Sequence, residues 1–145
     1  MSIVSVATGE RKLETVYRSL KGIDYSGALS EWDRVLIKVN FISGKTWETG
    51  VTTDPLMVEA LINRIQDLGK EVVVVETDST STKADDAVIK TGMKEMLDRL
   101  GVEFINMRNE KEQVKLKVID GKALDSFKVA KIATESAIIS EFYYE

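Results

Sequence analysis

The sequence predicts a three-layer, Rossmann-like α/β domain with a mainly parallel sheet and an antiparallel hairpin near its C-terminus. Three observations carry this. Val35-Leu36-Ile37 and Val72-Val73-Val74-Val75 are unbroken apolar runs, the composition of strands buried on both faces. Between them Met57, Val58, Leu61, Ile62, Ile65 and Leu68 recur at helical spacing, giving strand, helix, strand. From Val114 the pattern changes to period two, with Val114, Leu116 and Val118 opposite Lys115 and Lys117.

The 145 residues fit a single domain, 1–145, with one core and no internal repeat. Apolar residues make up 43% and charged residues 30%, a globular composition. Twenty basic against 24 acidic residues give a net charge of -4, which supplies no global field for nucleic acid, so no nucleic-acid partner is expected. Glu10, Arg11, Lys12 and Glu14 break any signal-peptide core, and no apolar run approaches the roughly 20 residues of a membrane span. A cytoplasmic protein with no membrane partner is the expectation. The chain has no Cys and no His. That removes disulfides, thiolate nucleophiles, Ser-His triads and thiolate iron-sulfur ligation, and leaves Asp, Glu, Lys or Tyr for acid-base work. No cofactor is evident. A metal would be a hard, oxygen-ligated ion such as magnesium.

In chain order, Ser2 to Ala7 is a short β-branched run, and Thr8 is placed to cap a helix carrying Leu13, Val16, Tyr17 and Leu20 and ended by Gly22. A linker from Asp24 to Asp33 precedes the strand Arg34 to Val39. The long loop from Phe41 to Val51 holds Gly44, Lys45, Trp47, Glu48 and Gly50. Asp54-Pro55 then starts a helix, because Asp accepts from the free N–H groups of the first turn and Pro at the first position loses no needed donor. That helix runs to Gly69 and is followed by the strand through Val75.

A crossover helix joining two parallel strands is right-handed almost without exception, so the loop Glu76 to Thr82 should lie on the same sheet edge as the first loop. A short helix around Asp85 to Lys90, a break at Gly92, and a helix with Met93, Met96, Leu97 and Leu100 follow, closed by Gly101. Val102 to Met107 reads as a strand and Arg108 to Glu112 as a solvated turn. Asp120-Gly121 is a hairpin-turn dipeptide, with Phe127 and Val129 in the returning strand. Ala133 to Ser136 reads as a turn of helix before the last strand, Ala137-Ile138-Ile139, and the aromatic end Phe142-Tyr143-Tyr144.

These motifs resemble those of the family catalogued as domain of unknown function 362, in its N-terminal half, over about Val35 to Ala137. The family's Lys-Pro-Asn at the first strand end stands here as Lys38-Val39-Asn40. Its Gly-x-Thr-Thr-x-Pro stands as Gly50-Val51-Thr52-Thr53-Asp54-Pro55, and its Gly-Asp-Ser as Thr77-Asp78-Ser79. The chain departs where Ile139-Ser140-Glu141-Phe142 replaces a Pro-x-x-Lys-x-His segment. A chain without Cys also cannot carry the ferredoxin-like tail of some members, so no iron-sulfur cluster is expected. The resemblance implies a fold and a site location rather than a substrate.

The ligand-binding candidates are Asn40, Lys45, Thr52, Thr53, Asp78 and Ser79, at the carboxyl edge of the sheet where open α/β folds hold ligands. Thr52 and Thr53 sit at a helix start suited to an anion, or serve only as capping. Lys45 supplies a counter-charge or stays solvated. Asn40 holds a ligand or forms an Asx-turn. Glu76 and Asp78, on alternate residues, are weak candidates for one hard cation, against Asp78 or Ser79 as helix caps. Ser79 to Thr82 are polar but lack the glycines of a P-loop or dinucleotide fingerprint. Trp47 is a stacking lid or loop packing. Lys115, Lys117, Lys122 and Lys128 touch nucleic acid or guard an edge strand, the reading favoured here. Three functions are compatible: a protein binding a small anionic molecule, a magnesium-assisted enzyme on a phosphorylated or carboxylated substrate, and a homo-oligomer or interaction subunit completed by a partner chain.

Overall fold

Residues 3–140 are described in the computed structural model, and four parallel strands set its frame. These are β1 (Arg34–Lys38), β2 (Glu71–Glu76), β3 (Glu103–Asn106) and β6 (Ala137–Ser140), in the order β3-β2-β1-β6. The register pairs Leu36 with Val73 and with Ile138, and Val74 with Phe104. Strands β4 (Gln113–Lys117) and β5 (Ser126–Ala130) form a separate antiparallel hairpin. The predicted α/β class, mainly parallel sheet and hairpin are therefore present.

The unbroken apolar runs explain the centre. Val35, Leu36 and Ile37 have no exposed surface, and Val72 to Glu76 are all buried. Each fully buried Val, Leu or Ile among them contributes about 1.5–3 kcal/mol by leaving water. Val35, Ile37, Val72 and Val74 face helices α3 (Pro55–Gln66), α4 (Ala84–Lys90) and α5 (Met93–Leu100), meeting Val58, Ile62, Val88 and Leu97. Leu36, Val73 and Val75 face the other way, against Ile105, Met107, Ile132 and Ala133. That second face is covered through the 3-10 turns Met107–Asn109 and Lys131–Thr134, which flank the hairpin. Among the described residues, no helix is long and apolar enough to cross a membrane.

Helix α3 starts as its sequence dictates, with the Asp54 carboxylate accepting from Leu56 N at 2.9 Å and Pro55 in the first turn. Its stripe is rotated slightly from the expected one. Ala60 is buried, whereas Met57 is 39% exposed. Gly69 and Gly101 take positive φ (72° and 66°), the left-handed conformation by which glycine commonly ends a helix.

Several local expectations are corrected. The β-branched run forms no strand: residues 3–8 are irregular, and Val4 and Val6 are 85% and 81% exposed. Among the described residues no sheet edge pairs with it, and β propensity without a partner strand does not make a strand. Ser2, and the aromatic end Phe142-Tyr143-Tyr144, lie outside the described residues. Thr8 is not the cap of α1 (Leu13–Leu20), which begins after Lys12 with no side-chain cap. Instead the Thr8 carbonyl accepts from Arg18 Nη2 at 2.7 Å. The linker contains a short helix, α2 (Tyr25–Ala28), nucleated by Asp24 accepting from Gly27 N. Asp120-Gly121 does not make a two-residue turn, since pairing stops at Lys117 with Ser126 and leaves residues 118–125 as the loop. Gly121 is needed there for space, as a Cβ would come within 2.1 Å of the Leu124 carbonyl oxygen. The final helical turn is a 3-10 turn starting at Lys131, two residues ahead of the expected Ala133.

Replacing Ile62, fully buried between α3 and the sheet, should test this packing. Urea unfolding of Ile62→Ala should show a loss of about 2–5 kcal/mol at unchanged slope. A loss below about 1 kcal/mol would contradict the described core.

Candidate functional site

Parallel pairing brings the ends of β1, β2 and β3, namely Lys38, Glu76 and Asn106, to one edge. Glu76 is only 5% exposed. A buried carboxylate is costly unless it is paired and hydrogen-bonded, and this one is both. Lys38 Nζ lies 3.1 Å from each of its oxygens. Phe41 N donates to Oε2 at 3.3 Å and Thr77 N to Oε1 at 2.8 Å. Lys38 therefore turns inward to its neighbouring strand, and its ammonium also donates to the Val39 carbonyl at 2.9 Å.

The loop beyond β1 is closed at its base. Asn40 N donates to Thr53 Oγ1 at 2.9 Å and Thr53 N to the Asn40 carbonyl at 3.2 Å, beside an antiparallel bridge between Phe41 and Thr52. Thr52 and Thr53 are 1% and 3% exposed. Arg11, from the segment before α1, donates from Nε and Nη2 to the two Asp54 oxygens at 2.8 and 2.7 Å. Its guanidinium also stacks on Trp47, 4.0 Å from the ring centroid. The start of α3 thus has an internal carboxylate and an internal cation upon it. Lys45 is exposed on the same loop, its backbone N–H donating to Ser43 Oγ at 3.3 Å.

The second loop touches the first, Thr82 Oγ1 donating to the Ile42 carbonyl at 3.1 Å. Ser79 Oγ accepts from Thr82 N at 3.0 Å, a local turn. Asp78 turns toward β3: its Oδ1 accepts from Asn106 Nδ2 at 2.8 Å and from Ala84 N at 3.1 Å. Asn106 Nδ2 also reaches Asp85 Oδ2 at 2.9 Å, and Asn109 Nδ2 reaches the same oxygen at 3.0 Å. The Ala84 N–H, seconded by the Asn106 amide, holds the Asp78 carboxyl below the usual carboxylate range. Glu76 and Asp78 consequently serve different partners. Among the described residues no three His, Cys, Asp or Glu side chains gather to hold a metal.

A smaller pocket of about 210 Å³ at the start of α3 is lined by Arg11, Trp47, Glu48, Thr52, Asp54 and Met57, its cation already taken by Asp54, and the larger open space at this edge lies on the hairpin side. A pocket of about 440 Å³ is lined by Thr77, Asp78, Met107, Arg108, Gln113 and Lys128, with Val129 and Ala130. Arg108 and Lys128 are exposed, and neither has a carboxylate within 4.0 Å among the described residues. Another pocket, of about 430 Å³, is lined by Arg34, Lys111 and Lys131 together with Glu110, Glu112 and Glu135. Arg34 and Lys131 are paired with Glu71 and Glu112 at 2.9 and 3.0 Å, and three lining carboxylates balance the three cations.

Of the residues favoured by the sequence, Asp78 lines the hairpin-side pocket and Thr52 the smaller one at the start of α3, whereas Asn40, Lys45, Thr53 and Ser79 belong to the two loops without lining either. Sequence reasoning missed Asn106 and Arg108, and read Lys128 as a guard of an edge strand. Asn106 carried a usable signal, being the last residue of a parallel strand, as Glu76 is. Arg108 and Lys128 carried no signal for a shared pocket, because only the docking of the hairpin brings them together.

A family model, Domain of unknown function (DUF362), matches residues 35–140, and the chain belongs to that family. The comparisons with curated proteins and with solved structures give no match.

Two measurements check this geometry. Glu76→Ala strands the Lys38 ammonium and the Phe41 N–H, and should cost about 3 kcal/mol in denaturant unfolding; a cost near zero would contradict the pairing. The lowered Asp78 pKa contributes stability that is present above its unfolded value of 3.8 and lost as pH falls through the native value. The stability difference between wild type and Asp78→Asn should therefore shrink as pH falls below about 4. A difference constant down to about pH 2 would overturn that assignment.

Proposed function

We propose that this DUF362 member binds a small anionic ligand at the carboxyl edge of its sheet, in the pocket between the end of β2 and the hairpin. The observation that carries this is a pair of cations, Arg108 and Lys128, lining one concavity without a carboxylate partner among the described residues. Two positive charges there outweigh Asp78, whose charge is already engaged by Ala84 N and Asn106. A guanidinium presents a planar fork that fits carboxylate or phosphate oxygens, and the ammonium adds a mobile point charge. The volume, about 440 Å³, suits a small molecule.

The binding energy on this reading comes from Lys128 on the hairpin and Arg108 on the turn before it, and the loops from Asn40 to Thr53 and Glu76 to Thr82 build the wall that supports them. Asn40, Thr52, Thr53 and Ser79 then act by fixing that wall through the hydrogen bonds they make. Lys45, on the neighbouring loop, contributes at most a long-range charge, screened over roughly 10 Å at ordinary ionic strength.

Thermal denaturation with phosphate, sulfate and organic acids, each with and without magnesium, tests the reading. An anion at about 100 times its Kd should stabilise the wild type by about 2.7 kcal/mol without magnesium. The double variant Arg108→Gln, Lys128→Gln should lose that response, and Lys45→Gln should keep most of it. If no anion stabilises the wild type, or the double variant responds equally, the proposal fails. A response that requires magnesium would favour a metal-assisted site instead.

A further inference from the structure

The hairpin register places Lys115 directly opposite Lys128. Like charges directly across a strand pair are destabilising. Lys115, like Lys128 and Arg108, has no carboxylate within 4.0 Å among the described residues. Three positive charges therefore stand at or beside one pocket, more than a single carboxylate would neutralise. A phosphate monoester, with a charge of about -1.5 to -2 at neutral pH and three acceptor oxygens, matches them better.

The opposite wall asks for something else. Asp78 Oδ1 is occupied by Ala84 N and Asn106 Nδ2. Its Oδ2 has Lys83 Nζ at 4.0 Å, beyond hydrogen-bond reach, and the side chain keeps 19% of its surface exposed. Asp78 lines the pocket, and its Oδ2, an acceptor only, has no hydrogen-bond donor among the described residues. The dianionic phosphate of an ester offers this oxygen acceptors only and leaves it unpaired. A ligand with a hydroxyl would donate to it.

We propose that the ligand is a hydroxylated phosphate monoester, its phosphate on Arg108 and Lys128 with Lys115 beside them, and a hydroxyl donating to Asp78 Oδ2. This rests on the anion-binding reading above and adds the chemical class. The ligand bridges the two walls, so it must carry both groups at once.

Isothermal titration of the full chain with four probes tests it: inorganic phosphate, glycerol phosphate, propyl phosphate and glycerate. A hydrogen bond to a charged acceptor is worth a factor of about ten or more, so glycerol phosphate should bind wild type about tenfold more tightly than propyl phosphate. Glycerate, singly charged, should bind more weakly than glycerol phosphate. In Asp78→Asn, where an amide NH₂ in place of Oδ2 cannot accept, the two esters should bind alike; circular dichroism checks that the variant is folded. If wild type already binds the two esters equally, or glycerate binds as tightly as glycerol phosphate, the assignment of ligand class is wrong while anion binding stands. If none of the four probes binds, the anion-binding reading fails with it.

Discussion

One buried carboxylate holds the functional edge of this fold together. Glu76 ends the central strand β2 at a depth where a lone charge would be intolerable, so every one of its hydrogen bonds has a structural consequence. Lys38 ties it to β1, Phe41 N to the start of the first loop, and Thr77 N to the start of the second. Both loops leave the sheet in directions that this group fixes. Asp78, two residues on, is then directed to β3, where Asn106 receives it and passes the contact to Asp85 at the start of α4. The edge is a relay of polar groups laid over an apolar sheet, and the pocket is what remains between that relay and the hairpin.

The sheet was legible because its physics is local and repetitive. Val35 to Ile37 and Val72 to Val75 announce burial on both faces, and Asp54-Pro55 announces a helix start; each appears where its residues place it. Reading failed where a residue's fate depends on a distant partner. Val4 and Val6 have strand composition but no neighbouring strand to pair with, and they remain in solvent. Lys38 follows an unbroken apolar run that predicts no particular partner for it, and finds Glu76 only because the two strands pair in this register. Arg11 is 43 residues from Asp54, and no period or motif connects them.

The same division runs through the candidate site. Position at the carboxyl edge follows from parallel topology, and Asp78 could be assigned to that edge from sequence alone. Which open space beside that edge is available could not, because hydrogen bonds between Thr82 and Ile42 and between Glu76 and Phe41 tie the two loops to each other. The hairpin supplies the alternative. Its Lys-rich face looks from sequence like protection of an edge strand, yet in three dimensions Lys128 turns out to line the same pocket as Arg108 and Asp78.

The account's central claim is that anions are drawn to the hairpin side of the edge rather than to the start of α3, where Asp54 and Arg11 already satisfy each other. Amide chemical-shift mapping of the labelled chain during a phosphate titration addresses this most directly. Saturable shifts should cluster at Thr77, Asp78, Arg108, Gln113 and Lys128. Saturable shifts centred instead on Thr52 to Leu56, with the hairpin unmoved, would contradict it.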